Sequence, residues 1–547
     1  MIGAVLAPHP VGSALLAEPW HGTQRRQALS AHENNAREFS KAKAMPVTRR
    51  TLIASSIAIS TMAQATSNPA RAASSVLRIG ISTSLNTLDP LITTLGDEYI
   101  YDILVFNGLT RMREDLSIEP DLAESWSSSE DLTRWTFHLR RGVKFHNGQE
   151  LVADDVVATF RRLLDPATAA PSRSQYGMVA AVSAPDAATV VFDLSIPYSG
   201  LADVMCDRQV KITPRNLVDQ LKTSPIGTGP FKFVSYTPGD RVVMTRNPDY
   251  FEPGLPKLNG VELRIIPEMS VKIAALQAGD IDVVWDLPLD QVQTVSAQPG
   301  VRAESVPTAS WDAAVMNNLI PPFNDLKVRQ AFNLAADRKD IIELTLFGQG
   351  VQTISPIPPT HPFYAGDQII PQADPSAARK LLAEAGHPNG LTIPIISPVG
   401  RPTRERLAVT LQQLVKPAGF DLQVQRAPYS TFPAEVSGKA PLYVDGFFQR
   451  PTIDAATYPM LHSTGSWNAT LWHYNNPDVD HALEAARRAG DPAVQKINYV
   501  TMQKAMVANP PGYFAYCMNF ACAFRSSIVG IKTHPMRWFD LRATTMS

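Results

Sequence analysis

The chain has little cysteine and almost no net charge. Its 547 residues contain three cysteines, Cys206, Cys517 and Cys522, an odd number without a CxxC pair, so neither a disulfide framework nor a cysteine zinc site is implied. Cys517 and Cys522 are five residues apart on a predicted strand, on opposite faces, where we expect buried free thiols. With 50 basic and 51 acidic residues the formal net charge is −1. No overall field attracts nucleic acid or anionic lipid, and we expect no nucleic-acid partner.

The sequence also lacks the short motifs that mark common enzymes. It has no GxSxG, no HExxH, no GxxxxGK[ST] and no GxGxxG after a strand. The GTG at 227–229 and the GQG at 348–350 are interpreted as turns. His462, His473 and His481 lack the i, i+4 spacing that aims two imidazoles at one metal, which favours solvated or packing histidines. We therefore expect no enzymatic activity, no cofactor and no metal site.

No long apolar run is present, and the N-terminus is typical of an export signal. The basic pair in TRRTLI (48–53) precedes the run LIASSIAISTMA (52–63), which is too short and too rich in Ser and Thr to span a bilayer, since spanning needs ~20 apolar residues. ARA at 70–72 supplies the small residues of a cleavage site. We predict that residues 1–72 are an upstream extension plus a signal peptide, with the true start at Met45. The signal resembles the twin-arginine type, and an ordinary secretory signal is the alternative.

No cysteine stands directly after the predicted cleavage site, where a lipid anchor would be attached, so we expect a free protein without a lipid anchor.

The length that remains after the predicted signal exceeds what one hydrophobic core supports, which predicts more than one domain. Residues 261–286 predict a strand, a helix and a strand, the spacing of a parallel βαβ unit. Further on, Asp374 and Pro375 have the residue types of a helix start. LTIPIIS (391–397) and FDLQVQR (420–426) then flank another helix. Two α/β units are predicted.

Residues 139–166, LRRGVKFHNGQELVADDVVATFRRLLDP, satisfy several local rules in succession. They follow a strand on which Trp135, Phe137 and Leu139 share one face. Asn147-Gly148 then favours a turn, because both residues tolerate positive φ. Asp154 and Asp155 lie in the first turn of a helix, where carboxylates are stabilising. Each element is common alone, but the whole string is specific.

This string resembles the identifying segment of the extracytoplasmic solute-binding proteins of family 5, the peptide- and nickel-type receptors of ABC importers. Residues 227–251, 275–284 and 321–342 resemble later segments of the family in the same order. Together the similarity extends over nearly all of the chain from about residue 76 to 540. It implies an α/β, two-lobed periplasmic-binding-protein fold, type II-like and of the large peptide-binding class, with mixed β-sheets and a hinge.

The resemblance also implies domain boundaries. Lobe I comprises residues 73–305 with 509–547 and includes a subdomain at 119–208, and lobe II comprises residues 306–508. The chain would cross between the lobes near Val306-Pro307 and again near residues 510–512. Proline and glycine at both crossings suit short hinge strands.

The function implied by the resemblance is that of a periplasmic receptor. It would capture a short peptide or similar small polar solute in the interlobe cleft, as a monomer, and deliver it to an inner-membrane ABC permease. Alternatives are a receptor for a non-peptide anionic solute, opine- or sugar-like, or for a metal chelate. A periplasmic enzyme or chaperone on the same scaffold is an alternative of another class.

Clefts of this kind bind solutes with aromatic walls and a few placed polar groups. The candidate ligand-binding residues are Trp311, Asn317, Tyr429, Trp467, Asn468 and Trp472 in lobe II and Ser84, Asn86 and Tyr176 in lobe I. For each of them alone, core packing is the alternative. Trp467 and Asn468 are the strongest individual candidates because they lie in a Gly- and Ser-rich loop.

One departure from the family pattern concerns the ligand. Peptide-binding relatives carry an aspartate in the stretch that matches FFQRPTID (447–454), and it pairs with the free amino group of a bound peptide. Here the nearest match is Arg450, with Asp454 four residues further on. A guanidinium suits a carboxylate or phosphate and repels an ammonium. We predict that Arg450 faces the cleft. A surface or interlobe ion pair is the alternative, and Asp454 is the alternative amine acceptor.

Overall fold

The computed structural model describes residues 75–547, so the predicted signal and cleavage site lie outside the described residues. The strands are β1 Val76–Ile81, β2 Thr110–Met112, β3 Ile118–Pro120, β4 Ala123–Ser128, β5 Arg134–Leu139, β6 Val179–Asp186, β7 Thr189–Leu194, β8 Phe231–Thr237, β9 Arg241–Arg246, β10 Gly260–Ile265, β11 Val283–Val284, β12 Val301–Met316, β13 Gly350–Val351, β14 Leu391–Val399, β15 Phe420–Pro428, β16 Leu442–Phe447, β17 Gly512–Arg525, β18 Ile528–Val529 and β19 Thr545–Met546.

The α-helices are α1 Gly96–Val105, α2 Ala153–Leu164, α3 Leu201–Val204, α4 Met269–Ala278, α5 Val292–Ser296, α6 Leu326–Leu334, α7 Arg338–Leu346, α8 Pro375–Glu384, α9 Pro402–Leu414, α10 Phe432–Glu435, α11 Ile453–Leu461, α12 Pro477–Arg487 and α13 Pro492–Ala508. Among the described residues, no helix has the length and hydropathy needed to cross a membrane.

One large mixed sheet organises the fold. Its strand order is β15-β14-β16-β12-β17-β11-β1-β10-β9-β8, with β13 paired beside β17. Strand β1 is parallel to both β10 and β11, and α4 connects those two strands. This confirms the predicted parallel βαβ unit, with β1 inserted between its strands. Helix α4 ends at Gly279, which adopts the left-handed conformation that glycine tolerates.

The second predicted α/β unit is also confirmed. Strands β14 and β15 pair in parallel, and α9 connects them. At the start of α8 the Asp374 carboxylate accepts hydrogen bonds from the backbone N–H groups of Ser376 (3.0 Å) and Ala377 (2.9 Å). This cap satisfies two donors that have no partner inside the helix.

Two long antiparallel strands, β12 and β17, link the two α/β units, and their pairing shifts register between Pro307 and Trp311. The part of β17 near Cys522 packs into a core with β1 and β10, whereas Cys517 belongs to a core with α12 and α13. The fold is thus mixed α/β and two-lobed, as the resemblance implied. The exact lobe boundaries stay a prediction.

A separate four-stranded sheet, β4-β5-β7-β6, packs against α2. Trp135, Phe137 and Leu139 are all buried on one face, as the alternation predicted. Helix α2 buries Val156 and Phe160 together with Leu163. This sheet and helix lie within the predicted subdomain.

The two glycines of GTG have a packing role. A Cβ on Gly227 would lie 2.0 Å from the carbonyl oxygen of Val105, and one on Gly229 would lie 2.5 Å from its carbonyl carbon. Neither glycine has positive φ. The close approach of the end of α1 therefore requires glycine here, rather than the turn that the sequence suggested. The backbone N–H of His146 donates to the Gly227 carbonyl (2.9 Å), which joins two of the family-like segments.

Candidate ligand-binding cleft

Arg450 lies between β16 and α11, and its guanidinium stacks over the indole of Trp467, 4.7 Å from the ring centroid. Its Nε is buried without a hydrogen-bond partner. Among residues 75–547, Arg450 forms no ion pair within 4.0 Å. A buried guanidinium without an anion is costly, because its desolvation is not compensated. The arginine therefore lacks the counter-charge that its position requires.

A second arginine approaches Arg450 from the predicted lobe I. Arg208 follows α3, is buried, and stacks over the ring of Tyr99 at 4.2 Å. Burial lowers the pKa of Arg450 to about 10, and the positive charge of Arg208 adds to this effect. The two guanidinium groups are thus close enough to repel each other. Like Arg450, Arg208 forms no ion pair within 4.0 Å in the described part of the chain.

One carboxylate lies near this arginine pair. Asp207 opposes the effect of Arg208 on the Arg450 pKa. Its Oδ1 accepts a hydrogen bond from the backbone N–H of Gln209 (2.8 Å). One carboxylate beside two guanidinium groups leaves a net positive charge, so the arginine pair can accept an anion.

Asp454 forms an ion pair with Arg487, a residue of the same predicted lobe. Its two carboxylate oxygens accept hydrogen bonds from Arg487 Nε (2.8 Å) and Nη2 (3.1 Å). Burial raises the pKa of Asp454, and the charge of Arg487 opposes this rise. Arg487 also stacks on Tyr458 at 3.5 Å. Amine capture by Asp454 would compete with this ion pair, and it stays a prediction.

A cavity of 740 Å³ opens beside Arg450 on the predicted lobe II. Tyr429, one of the predicted residues, lines it together with Arg401, Arg404 and Lys439. The guanidinium of Arg401 stacks over Tyr429 at 3.9 Å. Four cations therefore line this cavity, and its one lining carboxylate is Asp445.

Asp445 belongs to a compensated network at the wall of the cavity. Arg404 donates to Asp312 (3.1 Å), to Asp445 (2.7 Å) and to the Gly446 carbonyl (2.6 Å). Tyr516 Oη donates to the other oxygen of Asp312 (3.1 Å). Burial raises the pKa of Asp445, and Arg404 opposes the rise. Since Arg404 is satisfied by these partners, Arg401, Lys439 and Arg450 remain as the cations available to a solute.

Three predicted aromatic residues lie in hydrophobic cores. Trp472 and Trp311 are buried against each other, with ring centroids 6.1 Å apart, and both contact Phe514. Tyr176 is buried, and its hydroxyl donates to the Val204 carbonyl (2.6 Å). Core packing, the alternative stated for each residue, accounts for these positions.

Two of the predicted asparagines form hydrogen bonds with nearby backbone groups. Asn468 Nδ2 donates to the carbonyls of His462 (2.9 Å) and Tyr474 (2.7 Å), and its Oδ1 accepts from Tyr474 N–H (2.8 Å). Asn317 donates to the Gly438 carbonyl (2.8 Å). Their amides are engaged by the protein backbone, so these contacts explain why asparagine stands at both positions.

The remaining predicted residues of lobe I lie in the loop after β1. Ser84 Oγ accepts from Gly239 N–H (3.0 Å), and the exposed Asn86 donates its backbone N–H to Glu98 (2.7 Å). Their contact with a solute stays a prediction. His462, His473 and His481 are not brought together. Within residues 75–547, no group of three His, Cys, Asp or Glu side chains could hold a metal ion.

The predicted lobes also contact each other through Ser199. Its N–H and its Oγ both donate to the Arg487 carbonyl, at 3.1 and 3.2 Å. Gln495 Nε2 donates to Ser199 Oγ (2.8 Å). These bonds join the loop before α3 to α12 and α13 and therefore connect the two predicted lobes.

Ser199→Ala is expected to weaken solute binding by up to roughly tenfold. The change removes the hydroxyl bonds that exist only when the lobes are together, worth about 0.5–1.5 kcal/mol. Calorimetry with the co-purified solute measures the affinity, and solution scattering should show a larger radius of gyration. Ser195→Ala is the control, because Ser195 Oγ bonds within the subdomain, to the Met178 carbonyl (3.1 Å). Wild-type values for Ser199→Ala would contradict the closing role.

Two α/β units joined by long strands, with an arginine that is unpaired among the described residues and lies beside a cavity, are typical of a two-lobed receptor for a small solute. Residues 117–469 match the family described as bacterial extracellular solute-binding proteins, family 5 Middle. The chain belongs to this family, whose members bind small ligands or peptides and deliver them to ABC permeases.

Curated relatives and solved structures are consistent with this family. The chain is 27% identical over 511 residues to the glutathione-binding protein GsiB of Escherichia coli (strain K12), with 91% of this chain and 98% of the relative covered. It is 30% identical over 463 residues to protein XP55 of Streptomyces lividans, with 81% and 83% covered. The solved structure of MoaA from A. tumefacien R10 in complex with mannopinic acid has a TM-score of 0.71 and 28% identity, covering 87% of this chain and 100% of that one. Of these three proteins, GsiB and MoaA are described as binding proteins.

Proposed function

We propose that this chain captures a small solute with an anionic group, a carboxylate or a phosphate, and presents it to its ABC permease. The observation that carries the proposal is the buried Nε of Arg450, which has no hydrogen-bond partner, while neither Arg450 nor the nearby Arg208 forms an ion pair within 4.0 Å among residues 75–547. An anion placed between them would replace mutual repulsion with charge-assisted hydrogen bonds.

The same arrangement disfavours a simple peptide held by its free amino group. Arg450 stands at the position where peptide-binding relatives are expected to carry an aspartate, and a guanidinium there repels an ammonium. Among the relatives, MoaA binds an acid, mannopinic acid, and GsiB binds glutathione. Both names support an acidic solute, and only mannopinic acid bears against a peptide, since glutathione also has a free amino group.

The setting of this capture is also part of the proposal. The predicted signal in residues 1–72 would export the chain, the cysteine-free cleavage site would leave it without a lipid anchor, and the mature protein would act as a monomer in the periplasm. The balanced net charge of −1 gives no reason for a nucleic-acid partner.

Mass spectrometry of the compound that co-purifies with gently isolated protein tests this function. We expect a compound with at least one acidic group. Its methyl ester should bind roughly 30- to 5,000-fold more weakly in calorimetry, because neutralising the anion leaves both arginines without a partner. Methylation of a neutral hydroxyl of the same compound is the control. A compound without an acidic group, or an ester that binds as well as the acid, would overturn the proposal.

A further inference from the structure

The cavity beside Arg450 has a second cationic region. Arg401 and Lys439 line it, and within the described chain neither forms an ion pair within 4.0 Å. Lys439 Nζ donates to the Ala434 carbonyl, and Arg401 is held over Tyr429. These two cations are thus positioned by neutral groups without an ion-pair partner, and the one carboxylate that interacts with Arg401 at longer range is Asp445 of the cavity wall.

The start of a helix adds to this positive region. Arg401 directly precedes α9, a helix of 13 residues, and no side chain caps its first N–H groups. The N-terminal end of a helix carries a partial positive charge. Arg404, in the first turn, is already satisfied by Asp312 and Asp445. Glu405, also in the first turn, accepts a hydrogen bond from the Gly400 N–H (2.9 Å) and offsets part of the helix-terminal charge. The positive charge at this end of the cavity therefore comes mainly from Arg401 and Lys439.

We infer that this region is a second anion-binding subsite, so the solute is a dianion. One anionic group would bind Arg208 and Arg450, and the other would bind Arg401 and Lys439. The inference rests on the proposed function, since it adds a second contact to the same solute. Arg450 lines the same cavity of 740 Å³, whereas Arg208 does not, so Arg450 is the residue through which one molecule would connect the two subsites.

Exposure limits the strength of the second subsite. Arg401 and Lys439 are both exposed, unlike the buried Arg208. An exposed ion pair contributes roughly a 1.5- to 5-fold gain in binding. Two such pairs should make a dianion bind about 2- to 25-fold more tightly than a matched monoanion. The second subsite therefore sets solute selectivity, and the arginine pair sets most of the affinity.

Straight-chain dicarboxylates from succinate to sebacate, each compared with its monomethyl ester, test the inference on the full-length mature protein. Calorimetry should show a preference for the diacid at one chain length, which measures the spacing of the subsites. Arg401→Gln combined with Lys439→Gln should reduce that preference below about twofold, and added salt should weaken it in the wild type. The double variant should leave binding of the monoesters nearly unchanged.

Arg406→Gln with Lys416→Gln is the matched control, because it removes the same net charge from the neighbourhood of α9. Arg406 stacks on Phe347 (5.1 Å), away from the cavity. Equal binding of diacid and monoester at every length would overturn the second subsite, and so would absence of binding across the whole series or an equal loss in the control. The proposed function fails separately, if Arg450→Ala does not change binding of the co-purified compound.

Discussion

Arg450→Ala is expected to weaken binding of the co-purified solute by about 2 to 5 kcal/mol, or roughly 30- to 5,000-fold. The loss is large because the anion of the solute would stay desolvated while losing its partner from lobe II. Arg450→Lys should recover only part of it, since an ammonium keeps the charge but lacks the planar pair of donors. Arg208→Ala should show a loss of the same kind from lobe I. Calorimetry on each variant measures these changes.

Stability separates a binding effect from a folding defect. Arg450 has no carboxylate partner in the described chain and lies near Arg208, so Arg450→Ala should not lower the melting temperature of the solute-free protein. Arg406→Ala is the control for losing an arginine stacked on an aromatic ring. Wild-type affinity in Arg450→Ala would exclude this residue as a ligand contact.

Asp454→Asn distinguishes the competing model. The carboxylate is paired with Arg487, so we expect the change to affect stability and interlobe packing more than the chemistry of recognition. If Asp454 instead captures an amine, this change, and not Arg450→Ala, will abolish binding of peptides with free N-termini. Titration of both variants with a peptide and its N-acetylated form gives the answer.

Arg404→Met is expected to reduce the free energy of unfolding by about 3 to 5 kcal/mol at pH 8. The change removes the cation from two buried carboxylates, Asp312 and Asp445, and breaking a buried pair on one side leaves uncompensated charge. Urea unfolding followed by circular dichroism measures the loss.

The loss should be smaller at acid pH. Burial raises the pKa of Asp445 in the folded protein, so folding favours proton uptake there, and stability from this group increases as pH falls through the folded pKa toward the lower unfolded pKa. Without Arg404 that pKa rises further, so the deficit of the variant should shrink between pH 8 and pH 5. Arg406→Met on the same helix should show no such pH dependence. Equal deficits at both pH values would contradict this account.

Local rules predicted much of the scaffold. The cap at Asp374, the glycine after α4 and the alternation of Trp135, Phe137 and Leu139 each depend on neighbours in sequence, so a single chain shows them. The role of Gly227 did not follow from such rules. Its reason is the approach of Val105, more than 100 positions away in the chain.

The candidate site was harder to predict for the same reason. The sequence indicates Arg450 because arginine stands where peptide-binding relatives carry an aspartate. It does not indicate Arg208, because Arg208 affects Arg450 only through the tertiary fold. The polar run Asp207-Arg208-Gln209 between buried apolar residues was the available signal. The Gly- and Ser-rich loop around Asn468 favours a ligand contact. Such a loop also needs a side chain that fixes its backbone by hydrogen bonds, and the Asn468 amide has this role.

The three thiols make this receptor convenient for optical measurement. Cys206, Cys517 and Cys522 are all buried, and burial raises the pKa of Cys517 and of Cys522 to about 12 and that of Cys206 further. The thiolate is the nucleophile that attacks a thiol-reactive dye, and it is nearly absent at neutral pH in such surroundings. A pair of surface cysteines introduced on opposite lobes could therefore be labelled in the otherwise unaltered chain, and single molecules could report opening and closing against a silent background.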